Sequence, residues 1–211
     1  MNERAQARLA RYAELLLEAT RNVNVTGART PDAIAEQIAD ALTLVPFVRG
    51  SLVDVGTGGG LPGIPVAIVR EIPVTLIEAT AKKVAFLQAA LEVLELDGTA
   101  VAGRAETLAH DPAYRERFEH ATARAVGSMP TVLELTLPFV RVGGSAFLQR
   151  GAVSPEERNA AADAALVLGG EVTEEIPTDG ERRIVVVRKH EPSPGRFPRR
   201  TGVPHKRPLC T

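Results

Sequence analysis

The chain has 211 residues, enough for one well-buried core. Its 45% hydrophobic and 24% charged content is ordinary for a globular protein, and no run approaches the roughly 18 apolar residues of a membrane span. The single cysteine, Cys210, excludes an intrachain disulfide, a multi-cysteine zinc site and a cysteine-bound iron–sulfur cluster.

Aromatic residues make up 4% of the chain, with no Trp, which argues against a base-stacking platform. Met1-Asn2-Glu3-Arg4 lacks a signal-peptide pattern, so a cytoplasmic protein that does not engage membranes is expected. The net charge of −1 hides an asymmetry. From Arg182 to Thr211 there are nine Lys or Arg against one acid, Glu191. A basic end on an acidic body points to a polyanionic partner, with a solvated tail as the alternative.

In chain order, residues 3–20 carry Leu9, Tyr12, Ala13, Leu15, Leu16 and Ala19 at near-helical spacing. Asn22 to Gly27 breaks that helix. Thr30-Pro31-Asp32 then starts another, with a cap and a proline at the first position, and Ile34, Ile38, Leu42 and Val45 share one face. From Ser51 the pattern alternates. Strands are expected at 51–55, 74–78, 99–103, 120–125, 144–149, 170–176 and 182–188. Helices are expected at 62–70, 80–96, 104–117 (interrupted by Pro112), 129–140 and 155–168. Alternation implies a mostly parallel sheet with helices on both faces, and the short Pro177–Gly180 turn makes the last two strands a hairpin with one antiparallel strand. The expectation is a Rossmann-like α/β methyltransferase sheet of seven strands. It divides into a helical extension (1–48), a cofactor-binding domain (49–190) and an irregular, Pro-rich basic tail (191–211) packed on the same domain.

The richest stretch is Leu52-Val53-Asp54-Val55-Gly56-Thr57-Gly58-Gly59-Gly60-Leu61-Pro62-Gly63. A strand runs into glycines that allow positive φ and close ligand approach, and a helix N-terminus follows. Two cofactors could claim it. Gly58 to Gly63 formally matches the dinucleotide pattern, that of an NAD(P)-dependent dehydrogenase. Asp54 followed by Gly56, Gly58 and Gly60 matches a loop for S-adenosylmethionine, where the acid anchors the loop and meets the cationic end of the cofactor. A buried Asp is costly unless hydrogen-bonded, which disfavours it in a dehydrogenase strand. Glu78, at the end of the second strand, suits ribose hydroxyls of either cofactor. In the methyltransferase reading Ala105-Glu106 faces the adenine, and Arg124, at the carboxyl end of the fourth strand, positions cofactor or target base with its planar fork.

The fourth strand ends in Ala123-Arg124-Ala125, not in the Pro-Pro motif of exocyclic-amino methyltransferases. A cytosine-C5 enzyme needs a nucleophilic cysteine, and Cys210 is badly placed for one. An acceptor with a free lone pair, such as guanine N7, needs no general base, and catalysis would then be alignment and electrostatics. The basic tail supplies Arg199, Arg200, Lys206 and Arg207 for RNA phosphates, with folding back through Phe197 and Leu209 as the alternative.

With these residues placed, the chain from about Asn24 to Leu209 resembles the bacterial small-subunit ribosomal RNA guanine-N7 methyltransferase G family (glucose-inhibited division protein B). The resemblance rests on Leu52 to Pro65 and on Arg196-Phe197-Pro198-Arg199-Arg200-Thr201-Gly202-Val203-Pro204-His205-Lys206-Arg207-Pro208-Leu209. Asn24-Val25-Thr26, Lys82 to Leu87, Gly103 to Glu106 and Arg124-Ala125 support it. It implies methylation of N7 of a guanine in 16S ribosomal RNA or the small subunit, by a protein expected to be a monomer with no metal. It implies cofactor contacts at Gly56, Leu61, Ala105, Glu106 and Arg124, beside Asp54, Thr57, Gly58, Gly60 and Glu78 of the same site. Gln37, Ala41, Ala123 and Arg150 depart from the family pattern, which bears on RNA engagement more than on the cofactor. The alternatives are a cofactor-binding ribosome-assembly factor with little turnover and, behind it, an NAD(P)-dependent dehydrogenase.

Overall fold

The computed structural model describes residues 1–124 and 127–210. It divides into two compact units, Met1–Gly103 and Arg104–Thr211.

The first unit opens with helix α1 (Glu3–Asn22), started by Asn2, whose side chain accepts from the Ala5 N–H at 2.8 Å. Leu9, Tyr12, Leu16 and Thr20 fall three or four apart and are buried along one stripe. Helix α2 (Pro31–Leu42) begins at the expected cap, Thr30 Oγ1 accepting from Ala33 N–H at 3.2 Å. Then come strand β1 (Leu52–Val55), helix α3 (Gly63–Arg70), strand β2 (Val74–Glu78), helix α4 (Ala81–Val93) and strand β3 (Gly98–Ala102). The three strands are parallel in the order β3-β2-β1, with Asp54 opposite Leu76 and Glu78 opposite Ala102. β1 is buried throughout, as a strand covered on both faces must be. Both N-terminal helices pack on α3, so they are part of this unit's core.

The second unit holds helix α5 (Ala105–Leu108), strand β4 (Phe118–Arg124), helix α6 (Met129–Thr136), strand β5 (Val140–Arg150), helix α7 (Pro155–Val167), strands β6 (Gly170–Pro177) and β7 (Arg183–Lys189), and a one-turn helix α8 (Val203–Lys206). Its strands run β4-β5-β7-β6. β4 and β5 are parallel, and β7 is antiparallel to both neighbours, as the short turn requires. The described residues thus form the seven strands expected, three in one unit and four in the other.

Three expectations change. The helix expected over 104–117 is a single turn, followed by turns that end at Glu116, whose φ is 52° and whose N–H reaches Pro138 O. Pro112 cannot donate to a continuing helix. The helix expected to reach 140 stops at Thr136, because Pro138 forces a 3-10 turn over Leu137–Phe139 and β5 begins at Val140. The tail is not wholly irregular: Pro204 sits in the first turn of α8. Among the described residues no helix is long and apolar enough to cross a membrane.

Candidate active site

The first unit carries the glycine loop. β1 ends at Val55, and the chain then turns through Gly56, Gly58 and Gly60, all at positive φ. Gly56 and Thr57 donate their N–H groups to Ile77 O at 2.9 and 3.2 Å, fastening the loop to the end of β2. Asp54 is fully buried. Its Oδ2 accepts from Thr57 Oγ1 at 2.6 Å and from Gly63 N–H, at the start of α3, at 2.8 Å. One carboxylate therefore ties strand, loop and helix together, and its charge complements the helix N-terminus. A Cβ on Gly63 would lie 2.9 Å from this same carboxylate, so α3 can approach β1 only with glycine there.

Glu78 closes β2 and is 8% exposed. Its two oxygens accept from Gly58 N–H at 3.2 Å and Thr80 N–H at 2.9 Å. A carboxylate accepts about four hydrogen bonds, so each oxygen retains capacity for a ligand hydroxyl. Within the loop, Thr57, Gly59, Gly60 and Leu61 are buried, whereas Gly56 is exposed and Gly58 half-buried. The open backbone is thus at Gly56 and Gly58. The Thr57 hydroxyl is already engaged by Asp54. A feature that sequence reasoning missed lies on the other side: the Tyr12 hydroxyl, from α1, donates to Gly59 O at 2.9 Å.

The second unit carries the remaining expected residues. Ala105 is buried at the start of α5, and Arg124 is half-buried at the carboxyl end of β4; Ala125, the next residue of that motif, lies outside the described residues. Glu106 is 6% exposed, and its Oε1 accepts from Gly202 N–H at 2.9 Å. The tail does not hang free. Arg115 donates to Ser193 O at 2.7 Å and Phe197 O at 2.9 Å, His110 Nε2 lies 2.7 Å from Pro198 O, and Thr131 Oγ1 donates to Pro204 O at 2.9 Å. Phe197 is buried. Lys189, 1% exposed, reaches Leu137 O at 2.9 Å, Ser193 Oγ, and Glu116 Oε1 at 3.4 Å. Burial pushes its ammonium from 10.5 down to about 8 against the pull of Glu116.

Arg199 requires a correction. Its Nε donates to Glu134 Oε1 at 2.9 Å and its Nη2 to Oε2 at 2.6 Å, while its backbone N–H meets Oε1 at 2.7 Å. Glu134 is fully buried. A guanidinium held in this way by a buried carboxylate is an internal strut. Arg200, Lys206 and Arg207 are exposed. Arg196, not singled out from the sequence, lies with its guanidinium 5.0 Å from the Phe197 ring centre. Together with Arg200 it lines a cleft of about 560 Å³ beside Glu106 and His110.

A family model described as rRNA small subunit methyltransferase G (GidB) matches residues 5–185. The chain belongs to this family. Relatives named ribosomal RNA small subunit methyltransferase G include one from Rubrobacter xylanophilus, 40% identical over 98% of this chain and 85% of its own length. Another, from Deinococcus deserti, is 42% identical over 92% of this chain and 85% of its own length. Solved structures share the fold of S-adenosylmethionine-dependent methyltransferases. The T. thermophilus 16S rRNA N2 G1207 methyltransferase RsmC, in complex with AdoMet and guanosine, has a TM-score of 0.54 at 16% identity, over 75% of this chain and 40% of that one. The mitomycin 7-O-methyltransferase MmcR has a TM-score of 0.60 at 13% identity, over 88% and 67%.

Membership in the methyltransferase G family turns the glycine loop away from the dinucleotide reading. Asp54 anchors that loop as its type and position suggested, and the distances now say how. What no local pattern announced was the partner of each anchor: Tyr12 for Gly59, Glu106 for Gly202 and Glu134 for Arg199.

Proposed function

We propose that the protein transfers the methyl group of S-adenosylmethionine to N7 of a guanine in 16S ribosomal RNA of the small subunit, in the cytoplasm. The observation that carries this reading is the Asp54-anchored loop, with its exposed Gly56 and half-buried Gly58 backbone beside Glu78. The residues fit the cofactor. Gly56 and Gly58 let a ligand lie against the main chain, and Glu78 offers acceptors to ribose hydroxyls. The sulfonium of the cofactor supplies an electrophilic methyl. Guanine N7 brings its own lone pair, so this chain's residues have to align the acceptor and no side chain has to remove a proton. Thr57, Gly60 and Leu61 shape the loop, Ala105 and Glu106 flank the adenine, and Arg124 orients cofactor or base through its fork. On the tail, Arg200, Lys206 and Arg207 take RNA phosphates, joined by Arg196 at the cleft and without Arg199.

The test is incubation with methyl-labelled S-adenosylmethionine and small ribosomal subunits, followed by mapping of the labelled base. Label at N7 of one guanine is the expected result. Tight cofactor binding without transfer to subunits or naked ribosomal RNA would overturn it in favour of an assembly factor.

A further inference from the structure

We infer that Tyr12 is a positioning residue for cofactor binding: from α1 it locks the Gly59–Gly60 peptide plane of the glycine loop. The inference rests on the cofactor reading of that loop. Tyr12 is fully buried, and a buried phenol must place its hydroxyl on a partner; here it donates to Gly59 O at 2.9 Å. The other end of the same peptide, Gly60 N–H, donates to Thr57 O at 2.9 Å. A peptide unit is planar, so holding its oxygen and its N–H from opposite sides prevents rotation of the whole unit. Glycines flank it on both sides, and without Cβ atoms they would otherwise allow that rotation at little steric cost.

The surroundings point the same way. A Cβ on Gly59 would stand 2.6 Å from Leu16 Cδ1, one turn along α1 from Tyr12, and 3.2 Å from Val25 O. Val25 O would also be 3.2 Å from a Cβ on Gly58. One side of Gly58–Gly59 is thus covered by α1 and the connector after it, while Glu78 holds the Gly58 N–H. The helical extension is therefore a working part of the cofactor loop. Its hydroxyl keeps the loop in one shape before the cofactor arrives, and a ligand that meets a fraction of competent molecules binds more weakly by that fraction.

The experiment is Tyr12→Phe, which keeps the ring and removes the oxygen, with Leu9→Ala as a control for lost burial on the same helix. Binding of S-adenosylmethionine is measured by calorimetry, and amide exchange over residues 56–63 is followed with and without it. Tyr12→Phe is expected to weaken binding roughly tenfold, the scale of one hydrogen bond. It should speed exchange in the free loop, and saturating cofactor should restore both protection and kcat. Leu9→Ala should lower the melting temperature and leave affinity unchanged. Wild-type affinity and exchange in Tyr12→Phe, or equal loss in both variants, would overturn the positioning role. Failure of the wild type itself to bind S-adenosylmethionine would instead overturn the cofactor reading.

Discussion

Replacing Arg199 by Met keeps the length and apolar bulk of the side chain and removes its charge. Glu134 is fully buried and accepts three N–H groups, all from Arg199: the main-chain N–H at 2.7 Å, Nε at 2.9 Å and Nη2 at 2.6 Å. The substitution leaves only the first. Two charge-assisted bonds at about 1.5–3 kcal/mol each disappear. Breaking a buried pair from one side costs about 3–5 kcal/mol, since a carboxylate remains without its counter-ion. Arg199→Met is therefore expected to lose about 3–5 kcal/mol, the cost of leaving a buried carboxylate unpaired. Glu134→Gln should lose less, because the Gln oxygen still accepts the main-chain N–H and Arg199, 26% exposed, can turn to solvent. The double variant should recover most of the loss, since no buried charge remains. Urea unfolding at pH 7, with the m-value checked for constancy, reads all three. A loss under about 1 kcal/mol for Arg199→Met, or a double variant no better than it, would refute the strut.

Gly59→Ala should lose about 1–3 kcal/mol in the same assay, since its Cβ would meet Leu16 at 2.6 Å. Lys189 gives a pH signature. Its folded-state value is depressed, so between about 8 and 10.5 the unfolded chain binds more protons and this group adds stability as pH rises. Unfolding measured from pH 7.5 to 10 should show wild type gaining about 2 kcal/mol on Lys189→Met; a constant gap would contradict the buried charge. The triple substitution of Arg200, Lys206 and Arg207 by Ala should lower the slope of log affinity against log salt by about 2 on single-stranded ribosomal RNA. Anisotropy titrations check this, with cofactor affinity expected to stay at the wild-type value.

Much of the fold is legible because its signals are local. Thr30-Pro31 marks a helix start, the order of strands and helices follows from periodicity, and the turn before Arg183 makes a hairpin. The glycine cluster and Asp54 mark the loop within ten residues of one another. The supports are not local. Tyr12 reads as one more apolar position on an amphipathic helix, yet its oxygen matters 47 residues later. Arg199 and Arg200 look alike in a basic run. Only the fold puts a buried acid, 65 residues earlier, beside one and solvent beside the other. Helical periodicity reports a buried face and says nothing of what lies against it, which is why α1 could be read as an extension. The helix expected over 104–117 failed for a similar reason: its apolar spacing is served by turns, once Pro112 has broken the ladder.

The way the tail is held has a consequence for synthesis. In the first unit every partner described for the loop, from Tyr12 to Glu78, has been made before residue 104. In the second, Glu106 waits for Gly202, Glu134 for Arg199, and Thr131 for Pro204. As the chain emerges from the ribosome, its first half can settle early, while in its second half Glu134 lacks the counter-ion it needs for burial until some 65 further residues have been added. A nascent chain halted short of Arg199 would therefore present a finished glycine loop joined to an unfinished partner, a state for chaperones and proteases to recognise.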